Sequence, residues 1–289
     1  MENEKKAITY QALKYPKVQA LMRYVNKDTL KVMYKRQPKN KAVGIDGMTK
    51  EKYGENLDEN LDKLIHDMKQ FSYRPLPVRK TYIPKGNGKM RGLGVPSFED
   101  KMVQGVFKEI LEAIYETKFL DCSYGFRPNR SCHDAILKVN KHIMADKVNY
   151  IIDCDIKGFF DNIDHNVMIE SLWQIGIRDK RILSIIKQML KAGVMDECET
   201  SELGTPQGGI ISPLLANIYL NRFDRFITGD FERKELRNTF SRSDGRLQAM
   251  RKHSKLKTAY YVRYADDWVI LTDNKEDAEK LKYKAKRYI

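Results

Sequence analysis

Two acidic clusters carry the types and spacing that chemistry needs. Tyr264-Ala265-Asp266-Asp267 lies between the β-prone runs Tyr260-Tyr261-Val262 and Trp268-Val269-Ile270-Leu271, so it reads as the tip of a β-hairpin. The turn lacks the usual Asn-Gly or Asp-Gly and carries two adjacent carboxylates instead. Such neighbours raise each other's pKa unless a cation lies between them, and a divalent metal held by carboxylate oxygens supplies one. Alone, an Asp-Asp pair reads as a solvated turn. Asp153-Cys154-Asp155, a second acidic strand end about a hundred residues upstream, changes that balance.

The elements that must position these residues follow from periodicity. Tyr150 to Ile156 reads as a strand broken by Lys157-Gly158. Asp179 caps a helix with Ile182, Ile185, Ile186, Met189 and Leu190 inward, and Ser212-Pro213 opens another through Leu215, Ile218, Tyr219 and Phe226. Asn274 starts a last helix that runs to Ile289 without a capping or turn residue, which predicts a longer parent chain. The order strand, helices, loop and helix, hairpin, helix fits a split βαβ, an antiparallel sheet with helices on one face. In that sheet Asp155 and Asp266-Asp267 can meet on neighbouring strands. Asp153 shares a strand face with Asp155 and is its main rival. Three carboxylates suit two Mg²⁺ ions, which lower the pKa of an attacking hydroxyl and neutralise a leaving pyrophosphate. Phosphoryl transfer needs little beyond that and positioning.

Upstream, residues 4–36 read as helical, with Val18, Leu21, Met22 and Val25 on one face and Lys14, Lys17, Arg23 and Lys27 on the other. A helix is predicted to follow Met48-Thr49, and another is marked by Leu57, Leu61, Leu64, Ile65 and Met68. Residues 78–84 and 90–95 read as a hairpin around Lys85-Gly86-Asn87-Gly88-Lys89, presenting Lys85, Lys89 and Arg91. Glu99 to Lys118 and His133 to about Ala145 read as helices on either side of the loop 123–131.

Composition excludes several classes. Apolar residues make up 42%, which is globular, and no apolar run reaches membrane-spanning length. The N-terminus lacks a signal peptide's apolar core. Cys122, Cys132, Cys154 and Cys198 match no zinc or disulfide spacing, so they read as reduced thiols of a cytosolic protein. The net charge is +14, from 53 Lys+Arg against 39 Asp+Glu, and favours a polyanionic partner. The excess is uneven: residues 1–40 hold ten Lys/Arg and three Asp/Glu, and residues 233–257 hold nine and two. Those stretches, with Lys14, Lys17, Arg23 and Lys27 in one and Arg251 and Lys252 in the other, are the expected nucleic-acid-binding surfaces.

Seven motifs then fall in one order. They are Gly44-Ile45-Asp46-Gly47, Tyr73-Arg74-Pro75, Ile83-Pro84-Lys85, Ser123-Tyr124-Gly125-Phe126-Arg127-Pro128, Asp155-Ile156-Lys157-Gly158-Phe159-Phe160-Asp161, Gly204-Thr205-Pro206-Gln207-Gly208-Gly209 and Tyr264-Ala265-Asp266-Asp267. Together, over roughly residues 40–289, they resemble a bacterial group II intron reverse transcriptase, or intron-encoded maturase. The resemblance implies an α+β, right-hand polymerase fold. Residues 1–40 would be a basic extension, 41–145 fingers, and 146–289 a palm with a basic insertion at 228–257; the helical thumb would be absent.

It also implies an RNA-directed DNA polymerase, with Asp155, Asp266 and Asp267 as catalytic aspartates binding two Mg²⁺ ions and the Ile156 carbonyl as a further ligand. Lys85 and Arg91 would contact the triphosphate, with Lys89 a third candidate. Phe160 would exclude a ribose 2′-OH, and Gln207 would border nucleotide and template. Gly92 stands where the family usually has proline. The implied partners are group II intron RNA, an RNA/DNA primer–template duplex and dNTPs, in the bacterial cytoplasm; a homodimer is permitted. Two other readings are a non-catalytic RNA-binding splicing cofactor and a retron or diversity-generating reverse transcriptase.

Overall fold

The computed structural model describes residues 1–84, 88, 90–146, 148–192, 203–205, 208–229, 238–242, 245–246, 248–249, 252 and 259–289, with Arg91 as backbone only. Lys85, Lys89, Cys198, Gln207 and Arg251 therefore lie outside the described residues, as does most of the 228–257 insertion. The chain divides into two compact units. The first comprises residues 1–118 and 158–218, the second 119–157 and 219–289. Residues 119–145 group with the sheet-bearing C-terminal segment.

In the first unit, helices α1 (Glu2–Lys14), α2 (Lys27–Arg36), α3 (Lys50–Glu55) and α4 (Leu57–Lys69) precede a two-stranded antiparallel hairpin of β1 (Arg79–Pro84) and β2 (Met90–Val95). Helix α5 (Phe98–Tyr115) is buried along most of its length, with Asp100, Gln104 and Glu112 among its buried residues, and is capped by Ser97, whose Oγ accepts from the Asp100 amide at 3.1 Å. Helices α1 and α2 pack on it. Gly105 lets Met33 close in, since a Cβ there would lie 2.9 Å from the Met33 sulfur.

The single helix expected over 4–36 is broken. Pro16 forces its predecessor out of the helical region, and Tyr15 is extended (φ −121°, ψ 138°). Ala20 is left-handed (φ 52°), a 3-10 turn follows at Leu21–Tyr24, and Asn26 restarts the helix with a capping box. Val18, Leu21, Met22 and Val25 are buried as their spacing implies, but Val18 pairs as an extended residue with Ile177.

The second unit opens with α6 (Cys132–Ala145), capped by Ser131, and β3 (Tyr150–Cys154). The chain returns to the first unit for α7 (His165–Gln174) and α8 (Lys180–Lys191), capped by Asp164 and Asp179. Helix α9 (Ser212–Thr228) gives its residues from 219 onward to the second unit, followed by β4 (Ala259–Tyr264), β5 (Asp267–Thr272) and α10 (Lys275–Tyr288).

The sheet order is β3-β5-β4, antiparallel throughout. On one face Ile152, Tyr261, Trp268 and Ile270 pack with Phe223 and Ile227 of α9 and with Ala278, Leu281 and Ala285 of α10. Each large side chain buried there contributes about 1.5–3 kcal/mol. On the other face Val262, Tyr264 and Val269 pack against Ala135 and Val139 of α6. Helices therefore cover both faces, and the expectation of cover on one face is corrected. Val262 and Val269 are paired across β4 and β5, and that apolar pair requires a partner on the second face.

Candidate active site

The second face of the sheet also carries the acids. Register pairs Asp153 with Val269 and Cys154 with Trp268. The ladder ends there; Asp155 is the next residue of the chain and lies near enough to Asp267 to act on its carboxyl. Even-numbered residues of β3 face the Trp268 cluster, where Ile156 also packs, so Asp153 and Asp155 share the opposite face. Ile156 thus anchors the chain just beyond the strand while its carboxylate neighbour is left exposed. At the other side of the ladder, Tyr264 pairs with Asp267, leaving Ala265-Asp266 as a two-residue turn.

Ala265 is left-handed (φ 58°), a conformation that costs an L-residue about 1–2 kcal/mol. Two contacts hold it there. Gly125, in the loop 123–128, lies so close that a Cβ would stand 2.3 Å from the Ala265 amide nitrogen. The Arg263 Nη1 donates to the Ala265 carbonyl at 2.7 Å. The loop itself is fastened to the free edge of β4, with the Tyr124 amide donating to the Arg263 carbonyl at 2.9 Å and the Arg263 amide to Cys122 at 2.8 Å. The buried Arg127 closes the loop through Nη1, donating to the carbonyls of Leu120 (2.9 Å) and Ser123 (2.8 Å).

Arg263 and Asp224 were not singled out by their sequence setting, yet they form the buried ion pair beneath the turn. Both are 0% exposed, and Nη2 reaches Oδ2 at 2.6 Å while Nε reaches Oδ1 at 2.7 Å. Tyr261 Oη donates to the same carboxylate at 3.0 Å. Burial alone would depress the Arg263 guanidinium, but ionised Asp224 beside it holds it above its ordinary value. The sequence signal available was an arginine on the same strand face as Tyr261, inward by alternation.

The acids repel as their placement implies. The Asp267 carboxyl is pushed up from the usual carboxylate range by partial burial, then by Asp266, Asp155 and Asp153. Among the described residues no three His, Cys, Asp or Glu side chains are drawn tightly enough around one point to hold an ion as they stand. Uncompensated like charges turn carboxylates apart. The donor set nonetheless fits Mg²⁺, being carboxylate oxygens on adjoining strand ends with a backbone carbonyl beside them.

The structure thus brings Asp155, Asp266 and Asp267 together in the second unit. Phe160 lies in the first unit, half-buried in a 3-10 turn at Phe159–Asn162, its ring 5.5 Å from that of Phe159. The start of the Gly204–Gly209 loop backs that turn, with the Thr205 amide donating to the Phe160 carbonyl at 2.8 Å. The Arg91 backbone pairs with Ile83 in the β1–β2 hairpin. Lys14, Lys17 and Arg23 are exposed, Lys14 against the Tyr10 and Tyr15 rings and Arg23 against Tyr24. Lys27, partly exposed, bonds Asp62 at 2.7 Å and pairs with Asp58 at 3.5 Å, α2 packing beside α4. Lys252 is exposed. Among the described residues no helix is long and apolar enough to cross a membrane.

Comparison with known proteins gives this arrangement a family. The profile of "Reverse transcriptase (RNA-dependent DNA polymerase)" matches residues 83–289. The group II intron-encoded protein LtrA of Lactococcus lactis subsp. cremoris is 36% identical over 310 residues, covering 93% of this chain and 51% of its own. Protein YkfC of Escherichia coli is 36% identical over 239 residues, covering 79% of this chain and 62% of its own. A putative COX1/OXI3 intron 2 protein of Saccharomyces cerevisiae is 33% identical over 242 residues, covering 73% of this chain and 28% of its own. The chain spans about half the length of LtrA and less than two thirds of the others. A solved structure, the partial Cas6-RT-Cas1–Cas2 complex, covers 90% of this chain and 39% of its own with 18% identity and a TM-score of 0.48, too loose a likeness to carry an argument. On the profile match, over a span that contains both acidic strand ends, the chain belongs to the reverse transcriptase family.

Proposed function

We propose that this chain carries the RNA-directed DNA polymerase centre of a group II intron-encoded protein that also binds its intron RNA as a splicing maturase, in a bacterial cytoplasm. The observation that supports the reading is the mutual influence of Asp155, Asp266 and Asp267, the first just beyond the end of β3 and the other two at the β4–β5 turn. Asp155, Asp266 and Asp267, with the Ile156 carbonyl, would hold two Mg²⁺ ions. When bound, the ions acidify the primer 3′-hydroxyl and neutralise the departing pyrophosphate.

The chain's own residues do the rest. The β4–β5 turn fixes two carboxylates on a rigid hairpin, and β3 delivers the third from an independent segment. Phe160, half-buried against Phe159, would meet C2′ of the incoming sugar and exclude a 2′-hydroxyl by volume. Lys85 and Arg91 of the β1–β2 hairpin would hold the triphosphate, and Gln207 would border the template base. In this reading residues 41–145 are fingers, 146–289 palm, and the basic segments 1–40 and 228–257 contact RNA through phosphates and unpaired bases.

The test is primer extension on an RNA template with dNTPs and Mg²⁺. Asp155→Ala and Asp266→Ala should abolish nucleotide addition while leaving RNA affinity nearly unchanged, because each removes a metal ligand and no phosphate contact. Asp153→Ala should be much milder. Substantial extension by either of the first two variants overturns the assignment. A parent chain that binds intron RNA tightly but extends no primer would instead favour the splicing-cofactor reading.

A further inference from the structure

The Arg263–Asp224 pair sits beneath the acidic turn with no part in the chemistry just described. Its geometry is specific. The guanidinium grips Asp224 with two bonds, reaches the Ser123 hydroxyl at 2.8 Å through Nη2, and gives Nη1 to the carbonyl of Ala265. That carbonyl belongs to the peptide leading directly into Asp266. It is also the peptide of the left-handed residue, which an L-amino acid leaves readily unless something holds it. Gly125 closes the other side, with its α-carbon where no side chain fits.

Stability does not explain such a pair. Desolvating two charges is costly, and replacing a buried ion pair with apolar side chains of similar volume is often neutral or stabilising. What apolar side chains cannot do is aim a donor at one carbonyl.

We propose that Arg263, oriented by Asp224 and Ser123, is a positioning residue that locks the Ala265–Asp266 peptide and thereby sets the spacing of the Asp266 and Asp267 carboxylates for divalent metal. The proposal rests on the metal-binding reading of those aspartates. Residues that orient ligands from behind typically change metal affinity or activity by about 10–100-fold when removed.

The test uses the whole chain and reads Mn²⁺ binding by electron paramagnetic resonance, without nucleotide or primer, beside the Mg²⁺ dependence of extension. The main variant is Arg263→Met with Asp224→Leu, which removes both charges together. It should still melt cooperatively, below the parent because the buried Tyr261 and Ser123 hydroxyls lose their Asp224 and Arg263 partners, and keep its affinity for primer–template. Its Mn²⁺ binding should weaken by about tenfold or more, and half-maximal extension should need correspondingly more Mg²⁺. Arg263→Lys leaves Asp224 a cationic partner but cannot serve Asp224, Ser123 and Ala265 at once, so it should weaken binding in the same direction; it is the decisive variant if the double change does not fold. A folded variant with the parent's Mn²⁺ affinity and Mg²⁺ requirement overturns the proposal alone. A parent that binds no more Mn²⁺ than Asp155→Ala with Asp266→Ala overturns the metal site, and the proposal with it.

Discussion

Neutralising Asp267 should make the metal-free protein more stable while disabling it. Asp267 lies beside Asp266 and near Asp155, with Asp153 on the same sheet face, and all three push its carboxyl upward after burial has begun the shift. Like charges facing across a sheet cost about 0.2–1 kcal/mol per pair. Asp267 is exposed, so water and salt screen these terms toward the low end, and their sum is about 1 kcal/mol. Asn keeps the shape and removes the charge. In chelator at neutral pH, Asp267→Asn should raise the calorimetric Tm by about 2–4 °C for a chain of this size. The sign with pH follows from the raised folded-state pKa. The native state holds the proton more tightly than the unfolded chain, so the carboxylate's penalty is full above the folded pKa. The Asn advantage should therefore shrink as pH falls through that value and vanish below the ordinary carboxylate range. Added Mg²⁺ reverses the ranking, because ligand binding stabilises the parent and not the variant. A variant that melts lower than the parent in chelator, or gains as much from Mg²⁺ as the parent does, refutes the reasoning.

Changing Lys14, Lys17 and Arg23 together to Gln should flatten log K against log[salt] for a structured RNA by about 2–3, at about 0.7–0.9 per phosphate contact, read by fluorescence anisotropy; an unchanged slope returns them to plain solvated surface. Lys27→Gln should leave the slope alone, since Asp58 and Asp62 already occupy the ammonium. Burial depresses the His142 imidazole, which stacks 3.9 Å from the Tyr260 ring, although Asp146 at 2.9 Å pulls the other way. Its contribution to stability is thus present above the ordinary histidine value and lost as pH falls toward the folded one, so His142→Gln should flatten the Tm-versus-pH curve below the ordinary histidine value. An equal slope in parent and variant would show that another group titrates there.

The acidic hairpin was legible because two signals agreed: β-prone runs on both sides of the turn, and a second acidic strand end. Alternation along 150–156 was enough to put Asp153 and Asp155 on one face. Apolar spacing over Val18–Val25 suggests one continuous helix, but Pro16 is the stronger constraint, because it forces its predecessor out of the helical region. The second covered face has its sequence signal in Tyr260 and Val262, which make β4 apolar on alternate positions as well as on Tyr261's side. The Arg263–Asp224 pair was out of reach for a different reason. Its members are 39 residues apart, on a strand and a helix, and nothing local in either segment marks them as partners.

The β3-β5-β4 order has a kinetic consequence. β3 and β5 are neighbours in the sheet, yet a whole excursion through the other unit separates them in the chain. A ribosome adding about 5–20 residues per second exposes β3 several seconds before its partner exists. During that interval β3 is an unpaired edge bearing exposed Tyr150 and Ile151, held from association chiefly by Asp153 and by its five-residue length. Closing the ladder then requires a long-range contact, which is slow to form. The acidic strand ends should accordingly be among the last parts of the second unit to come together, so that their proximity reports completed folding rather than collapse.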